Sequence, residues 1–172
     1  MNLAIGQGAL RASPLQVANF YATVGNGGTI YRPNLINRIV SAENSNNVVK
    51  AYPPTVVGKA PVSADTLARM QDRSRPSDGP EGHGLLCVQG SPIQVAGKTG
   101  TGQQDKKDPY AWFAGYASAD KPTIAIVAVA ENAGEGSAIA APIVRSLMES
   151  YPRPPPLDRR ERLGGIGRTG RS

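Results

Sequence analysis

Apolar residues recur at helical spacing soon after the N-terminus, at Leu15, Ala18, Tyr21 and Ala22. Ser13-Pro14-Leu15-Gln16 opens that helix: Ser13 suits the N-cap, Pro14 the first turn, and Gln16 completes a capping box. Asn26-Gly27-Gly28 stops it, because glycine accepts the left-handed backbone of a helix end. The pattern then becomes extended. Thr29–Arg32 and Leu35–Val40 read as strand, Val48–Tyr52 as a second strand, and Glu43–Asn47 as the turn between them. A second helix starts at Ser63 and runs to about Arg73, with Val62 and Leu67 placed as a hydrophobic staple.

Arg73–Ser91 is irregular, rich in Gly, Pro and charge. Pro92–Thr101 reads as a short strand entering a Gly-rich segment, and Gly102–Asp108 as a polar turn. Strands follow at Tyr110–Ala117 and Thr123–Glu131, joined at Ser118–Pro122. A last helix sets Ile139, Ile143, Val144, Leu147, Met148 and Tyr151 on one face, with Pro142 in its first turn. Strands joined by short turns are antiparallel. The order helix, hairpin, helix, three-strand meander, helix is therefore an α+β pattern. Ile124–Ala130 is apolar on both faces, which suits a strand in the middle of a sheet.

Composition refines this picture. A chain of 172 residues, 40% hydrophobic and 19% charged, is long enough to bury a core. The net charge is +6, but residues 152–172 alone carry +4 through six arginines. That Pro-, Arg- and Gly-rich stretch is expected to be a disordered tail, separate from a body at residues 1–151. With the excess charge in a tail and aromatics at 5%, a nucleic-acid partner is not expected. One cysteine, Cys87, and one histidine, His83, supply neither a disulfide nor a zinc site, so no metal or cofactor is expected. No run reaches the ~18 apolar residues of a membrane span. Met1–Gly6 lacks the basic start and apolar stretch of a signal peptide.

Gly97-Lys98-Thr99-Gly100-Thr101-Gly102 is the segment that carries chemistry. A phosphate loop needs a glycine where Pro92 stands and a helix directly after the lysine. The sequence offers instead a strand and a polar turn. The other reading is the Lys-Thr-Gly box of serine acyl-transfer enzymes. There Lys98 supplies positive charge, Thr99 and Thr101 can hydrogen-bond a substrate carboxylate, and Gly100 lets a substrate backbone lie along the strand. The Thr101 N–H can point at a developing oxyanion. Ordinary Gly/Thr-rich strand and turn is the plain alternative.

The surroundings favour the box. Ala4-Ile5-Gly6-Gln7-Gly8, Ser13–Ala18, Asn26-Gly27-Gly28-Thr29, Val95–Gln103 and Ala111-Trp112-Phe113-Ala114-Gly115-Tyr116-Ala117 follow in that order. Over Leu3–Tyr151 the chain resembles the transpeptidase domain of class B (monofunctional) penicillin-binding proteins. Tyr110 stands where many relatives carry histidine. The resemblance implies the penicillin-binding protein/serine β-lactamase-like fold, with the three-strand meander, an accessory hairpin and helices packed on the sheet. It implies a D,D-transpeptidase that cross-links peptidoglycan stem peptides ending in D-Ala-D-Ala, through a serine acyl-enzyme that β-lactam antibiotics trap. The parent would be membrane-anchored with this domain on the outer face.

The family uses Ser-x-x-Lys, then Ser-x-Asn, then Lys-Thr-Gly. Only the third is carried over, on Lys98, Thr99, Gly100 and Thr101. Ser118-Ala119-Asp120-Lys121 and Ser45-Asn46-Asn47 match the first two literally. The former follows the Lys-Thr-Gly box, sits in a turn and is followed by Pro122, which disfavours helix at Lys121. The latter is a hairpin tip. The nucleophile, its lysine and the Ser-x-Asn element would precede Met1, so the chain is expected to be the C-terminal part of the domain, inactive alone, with the N-terminal half as its missing partner. The domain's first strand would then be missing beside Ile124–Ala130. A non-catalytic penicillin- or peptide-binding module is the alternative from another class; a serine β-lactamase fragment is the enzymatic one.

Overall fold

The computed structural model describes residues 11–75, 93–104 and 107–151. Helix α1 spans Pro14–Gly25, and its start has the expected chemistry. The Ser13 hydroxyl accepts the Gln16 N–H at 3.3 Å, and the Gln16 side chain accepts the Ser13 N–H at 2.8 Å. Such a cap is worth about 1 kcal/mol. Gly27 and Gly28 end the helix at φ +81° and +96°, and the Asn26 amide clasps both backbone groups of Thr29 at 2.8 Å.

Strands β1 (Thr29–Tyr31), β2 (Arg38–Val40), β3 (Val48–Ala51) and β4 (Val56–Lys59) form the accessory region. It is not the single hairpin expected. β2 and β3 make the hairpin, while β1 leaves it and pairs antiparallel with β4. Val56–Lys59 is short and follows Pro53-Pro54, so nothing in its own pattern marks it as strand; its partner 27 residues earlier makes it one. Residues 35–37 lie outside β2, with the Leu35 side chain fully exposed.

Helix α2 (Ala64–Ser74) is capped by the Ser63 hydroxyl on the Thr66 N–H at 3.1 Å. The Gln71 side-chain amide donates to the Val24 carbonyl at 2.8 Å, tying α2 to the end of α1.

The central sheet runs β5 (Val95–Gln104), β6 (Lys107–Ala117), β7 (Ile124–Ala130), antiparallel throughout. β5 and β6 extend into the span expected to be a polar turn. Gly102 pairs with Tyr110 and Gln104 with Lys107, and the register shift between them accommodates Pro109, which has no N–H to give the ladder. The Gln104 amide closes this end by donating to the Asp108 carbonyl at 3.0 Å.

The pleat sorts side chains onto two faces. Val95, Ala111, Phe113, Ala117 and Ala128 pack against helix α3 (Ala140–Ser150) through Ala140, Ala141, Val144 and Met148. On the opposite face Ala96, Tyr116 and Ala125 meet Val24 and Tyr21 of α1 and Met70 of α2. The α3 face differs from expectation. Val144 and Met148 are fully buried, but Ile139, Ile143, Leu147 and Tyr151 stand 38–52% exposed. The two alanines let α3 lie close to the sheet, so the bulkier stripe turns outward. β7 is covered by helices on both faces yet pairs only with β6 among the described residues.

The signature Ala4–Gly8, the residues His83 and Cys87, and the tail 152–172 all lie outside the described residues.

Candidate functional site

Gly97-Lys98-Thr99-Gly100-Thr101 sits within β5, an edge strand of the central sheet. On one side it pairs with β6 through Gly97–Gly115, Lys98–Ala114, Thr99–Phe113, Gly100–Trp112 and Thr101–Ala111. Its other side has no strand among the described residues. Alternate backbone N–H and C=O groups of an edge strand point outward, the arrangement onto which an extended peptide can add.

Glycine at 97 is a matter of space. A Cβ there would lie 2.6 Å from the Ala114 carbonyl oxygen and 2.8 Å from the Phe113 ring; one on Gly115 would lie 2.5 Å from the Ala96 carbonyl oxygen. The facing glycines admit the Phe113 ring beneath the ladder. The strand entering the box is thereby fixed on a fully buried aromatic side chain.

Lys98 shares the α1 face with Ala96, whereas Thr99 and Thr101 follow Val95 onto the α3 face. A ligand meeting all three must therefore lie along the edge, between the two faces. The Lys98 side chain is exposed, and its ammonium donates to the Thr99 carbonyl at 3.2 Å. Ion pairs among the described residues join Arg69 to Asp65, Arg75 to Asp120 and Arg145 to Glu149, leaving Lys98 without a carboxylate partner there. Its charge is available to an anion at the edge.

Trp112 and Tyr110 fill the space above the glycines. A Cβ on Gly100 would meet the Trp112 Cβ at 3.4 Å, and one on Gly102 would meet the Tyr110 Cβ at 3.4 Å and the indole nitrogen at 3.5 Å. Both aromatics lie on the Lys98 face. No helix follows Lys98, since β5 continues to Gln104, which disposes of the phosphate-loop geometry.

The literal look-alikes of the other boxes are elsewhere. Ser118 and Lys121 are exposed in the non-helical connection from β6 to β7, so the one-turn Ser-to-Lys spacing of a helix is not made. Ser45 and Asn46 are exposed in the β2–β3 turn. Among the described residues no cluster of His, Cys, Asp or Glu could hold a metal, and no helix is long and apolar enough to cross a membrane.

The family model for the penicillin-binding protein transpeptidase domain matches residues 1–149. The chain belongs to the penicillin-binding protein transpeptidase family. Peptidoglycan D,D-transpeptidase MrdA of Haemophilus influenzae is 29% identical over 169 residues, covering 88% of this chain and 25% of the relative. Peptidoglycan D,D-transpeptidase PbpA of Mycobacterium tuberculosis is 28% identical over 165 residues, covering 85% of this chain and 30% of the relative. The fold agrees: penicillin-binding protein A from M. tuberculosis, solved as a penicillin G acyl-enzyme complex, superposes with a TM-score of 0.69 at 28% identity, over 85% of this chain and 33% of that one. The chain thus has the α+β fold of that domain and spans about a third or less of the length of these relatives.

One residue at the site escaped the sequence reading. Gly136 is buried on the α3 face, and a Cβ on it would stand well inside contact distance of the carbonyl oxygens of Trp112 and Gly100. Nothing in Gly134-Glu135-Gly136 distinguishes it from a turn glycine until the loop is seen folded against β5.

Proposed function

We propose that this chain contributes the substrate-binding edge of a D,D-transpeptidase that cross-links peptidoglycan stem peptides and is acylated by β-lactams. The observation that carries the reading is the Lys98–Thr101 box on a strand whose outer side pairs with no strand among the described residues, where the Lys98 ammonium also has no carboxylate partner. A stem peptide ending in D-Ala-D-Ala adds alongside β5 by main-chain hydrogen bonds. Lys98, with the Thr99 and Thr101 hydroxyls, holds the terminal carboxylate. The Thr101 N–H faces the oxyanion that forms as the carbonyl is attacked.

In the complete enzyme a serine hydroxyl attacks the penultimate D-Ala carbonyl, the terminal D-Ala leaves with a proton, and the acyl group remains on the serine. An amine of a second stem peptide then displaces the serine and completes the cross-link. A β-lactam takes the same path to the acyl stage. The serine, its lysine base and the Ser-x-Asn element belong to a preceding part of the domain, in a parent anchored with this domain outside the cytoplasmic membrane. The exposed stripe Ile139, Ile143, Leu147 and Tyr151, and the side of β7 that has no strand partner among the described residues, support a domain interior completed by a further part of the parent.

The test is incubation of the purified chain with a fluorescent penicillin, followed by a denaturing gel. No covalent band is expected, because losing nucleophile and base together costs orders of magnitude in acyl transfer. A band abolished by Ser118→Ala would assign the nucleophile to Ser118 and overturn this division of labour.

A further inference from the structure

The segment Glu131–Ile139, between β7 and α3, crosses behind the candidate site and is fastened at both ends. Near its start, the Ala133 and Gly134 N–H groups donate to the Pro109 carbonyl at 3.1 and 3.2 Å, and the Gln104 amide donates to the Asn132 side chain at 3.2 Å. Those bonds tie it to the far end of the β5–β6 hairpin. At its other end the Gly136 carbonyl accepts the Ala141 N–H of α3 at 3.0 Å, and the Ala138 and Ile139 N–H groups close a turn on the Glu135 carbonyl. Between these anchors the Gly136 Cα presses on the ladder where Gly100 pairs with Trp112.

The contact is backbone on backbone. A Cβ on Gly136 would collide with the Gly100 and Trp112 carbonyl oxygens and lie 3.1 Å from the Gly100 nitrogen. None of these atoms belongs to a side chain that could swing away. Gly136 is not among the residues with positive φ, so glycine is required there for space and not for conformation. On the opposite face, the Trp112 Cβ stands 3.4 Å from where a Gly100 Cβ would be. Gly100 is thus clamped between Trp112 in front and Gly136 behind, one residue from Thr99 and two from Lys98.

We infer that Gly136 is a positioning residue: it sets the depth at which Gly100, and with it the Lys98–Thr101 edge, sits in the sheet. Its consequence for acyl transfer rests on the function proposed above; its structural part does not. Because the loop is bonded to α3, any side chain at 136 pushes the edge strand outward instead of the loop backward. Misplacement of a reacting group by about 1 Å costs on the order of 100-fold in rate.

The first measurement uses the unsubstituted chain: an NMR cross-relaxation contact between the Gly136 Hα and the Gly100 amide or Hα protons is expected. Its absence overturns the inference whether or not any variant folds. The second uses Gly136→Ala, with Gly58→Ala as a control at a position with nothing within 4 Å. Trp112 is the sole tryptophan, so its emission reports on this contact directly. Gly136→Ala should shift that emission and move the amide resonances of Lys98–Thr101 and Trp112 more than those of Val24 or Met70. Equal movement everywhere, or none at Gly100, refutes the clamp. In a domain completed with a Ser-x-x-Lys segment, Gly136→Ala should slow penicillin acylation about 10- to 100-fold. If Lys98→Ala slows acylation and Gly136→Ala does not, the positioning role is wrong; if neither does, the proposed function of the edge is wrong.

Discussion

Truncating two adjacent residues of α3 should have unequal effects. Met148 is 1% exposed and packs on the sheet beside Phe113, whereas Leu147 is 52% exposed on the outward stripe. Met148→Ala removes fully buried atoms and leaves a cavity, for a loss of about 2–5 kcal/mol. Burying a whole leucine is worth about 1.5–3 kcal/mol, so Leu147, half of it in water, contributes about 1 kcal/mol and leaves no enclosed void. Alanine's better helix propensity returns a few tenths of that, of order 0.2 kcal/mol. The two variants should differ by about 2 kcal/mol. In urea, with a slope near 2 kcal/mol/M, that is a midpoint difference of about 1 M. The assay is urea unfolding followed by far-ultraviolet circular dichroism at micromolar chain, where self-association is least. Equal losses would refute the assignment of α3's buried face. A Leu147→Lys variant, costing folding about 1 kcal/mol or less because the lysine stem can cover part of the same surface, should reduce light scattering at high concentration, because the exposed stripe is then interrupted.

Tyr116 is 1% exposed, and its hydroxyl finds no hydrogen-bond partner among the described residues. Tyr116→Phe should leave stability unchanged or raise it by about 1 kcal/mol in thermal melts, and a clear loss would reveal a partner for the hydroxyl. Burial raises the pKa of the Tyr21 phenol above 10.0, with the nearby Tyr116 adding to it; burial likewise raises Tyr116, partly opposed by Arg75. The neutral phenols are favoured in the fold, so their stabilising effect is full below pH 10 and is lost as pH climbs through the raised values. Unfolding midpoints measured from pH 8 to 11 should fall only at the alkaline end, and less steeply in Tyr21→Phe. Amide hydrogen exchange should be slowest along β6, which is paired on both sides, and fast at alternate residues of β5 and β7. Uniform protection of β7 in dilute samples would mean that its second edge is covered.

Elements defined by nearby residues were legible in the sequence. Ser13 and Gln16, Asn26 to Gly28, and Ser63 fix helix ends through bonds spanning three residues, so each end shows in the local sequence. The β5–β6–β7 meander is legible because its connections are short and the Tyr110–Ala117 and Ile124–Ala130 runs are strongly apolar. β4 was not, since a four-residue strand after two prolines exists only through its pairing with β1. The buried face of α3 was misread because periodicity ranks Ile143 and Leu147 above Ala140 and Ala141, while close approach to a sheet favours the small residues. At the site, Lys98–Thr101 stand out by residue type, and among the described residues the strand that carries them, β5, lies at the edge of the central sheet. Alternation, however, divides Lys98 from Thr99 and Thr101, which a linear motif does not display. Gly136 was invisible because its role comes from a loop 36 residues beyond Gly100.

The central claim is that the Lys98 edge binds the acylating substrate once the rest of the domain is supplied. The most direct measurement joins residues 1–151 to the remaining portion of the transpeptidase domain of a relative such as the mycobacterial PbpA and follows labelling by a fluorescent penicillin with time. Covalent labelling is expected in the joined protein, with Lys98→Ala slowing it about 100-fold or more at an unchanged melting temperature. Labelling of the joined protein at the same rate with and without Lys98 would contradict the account.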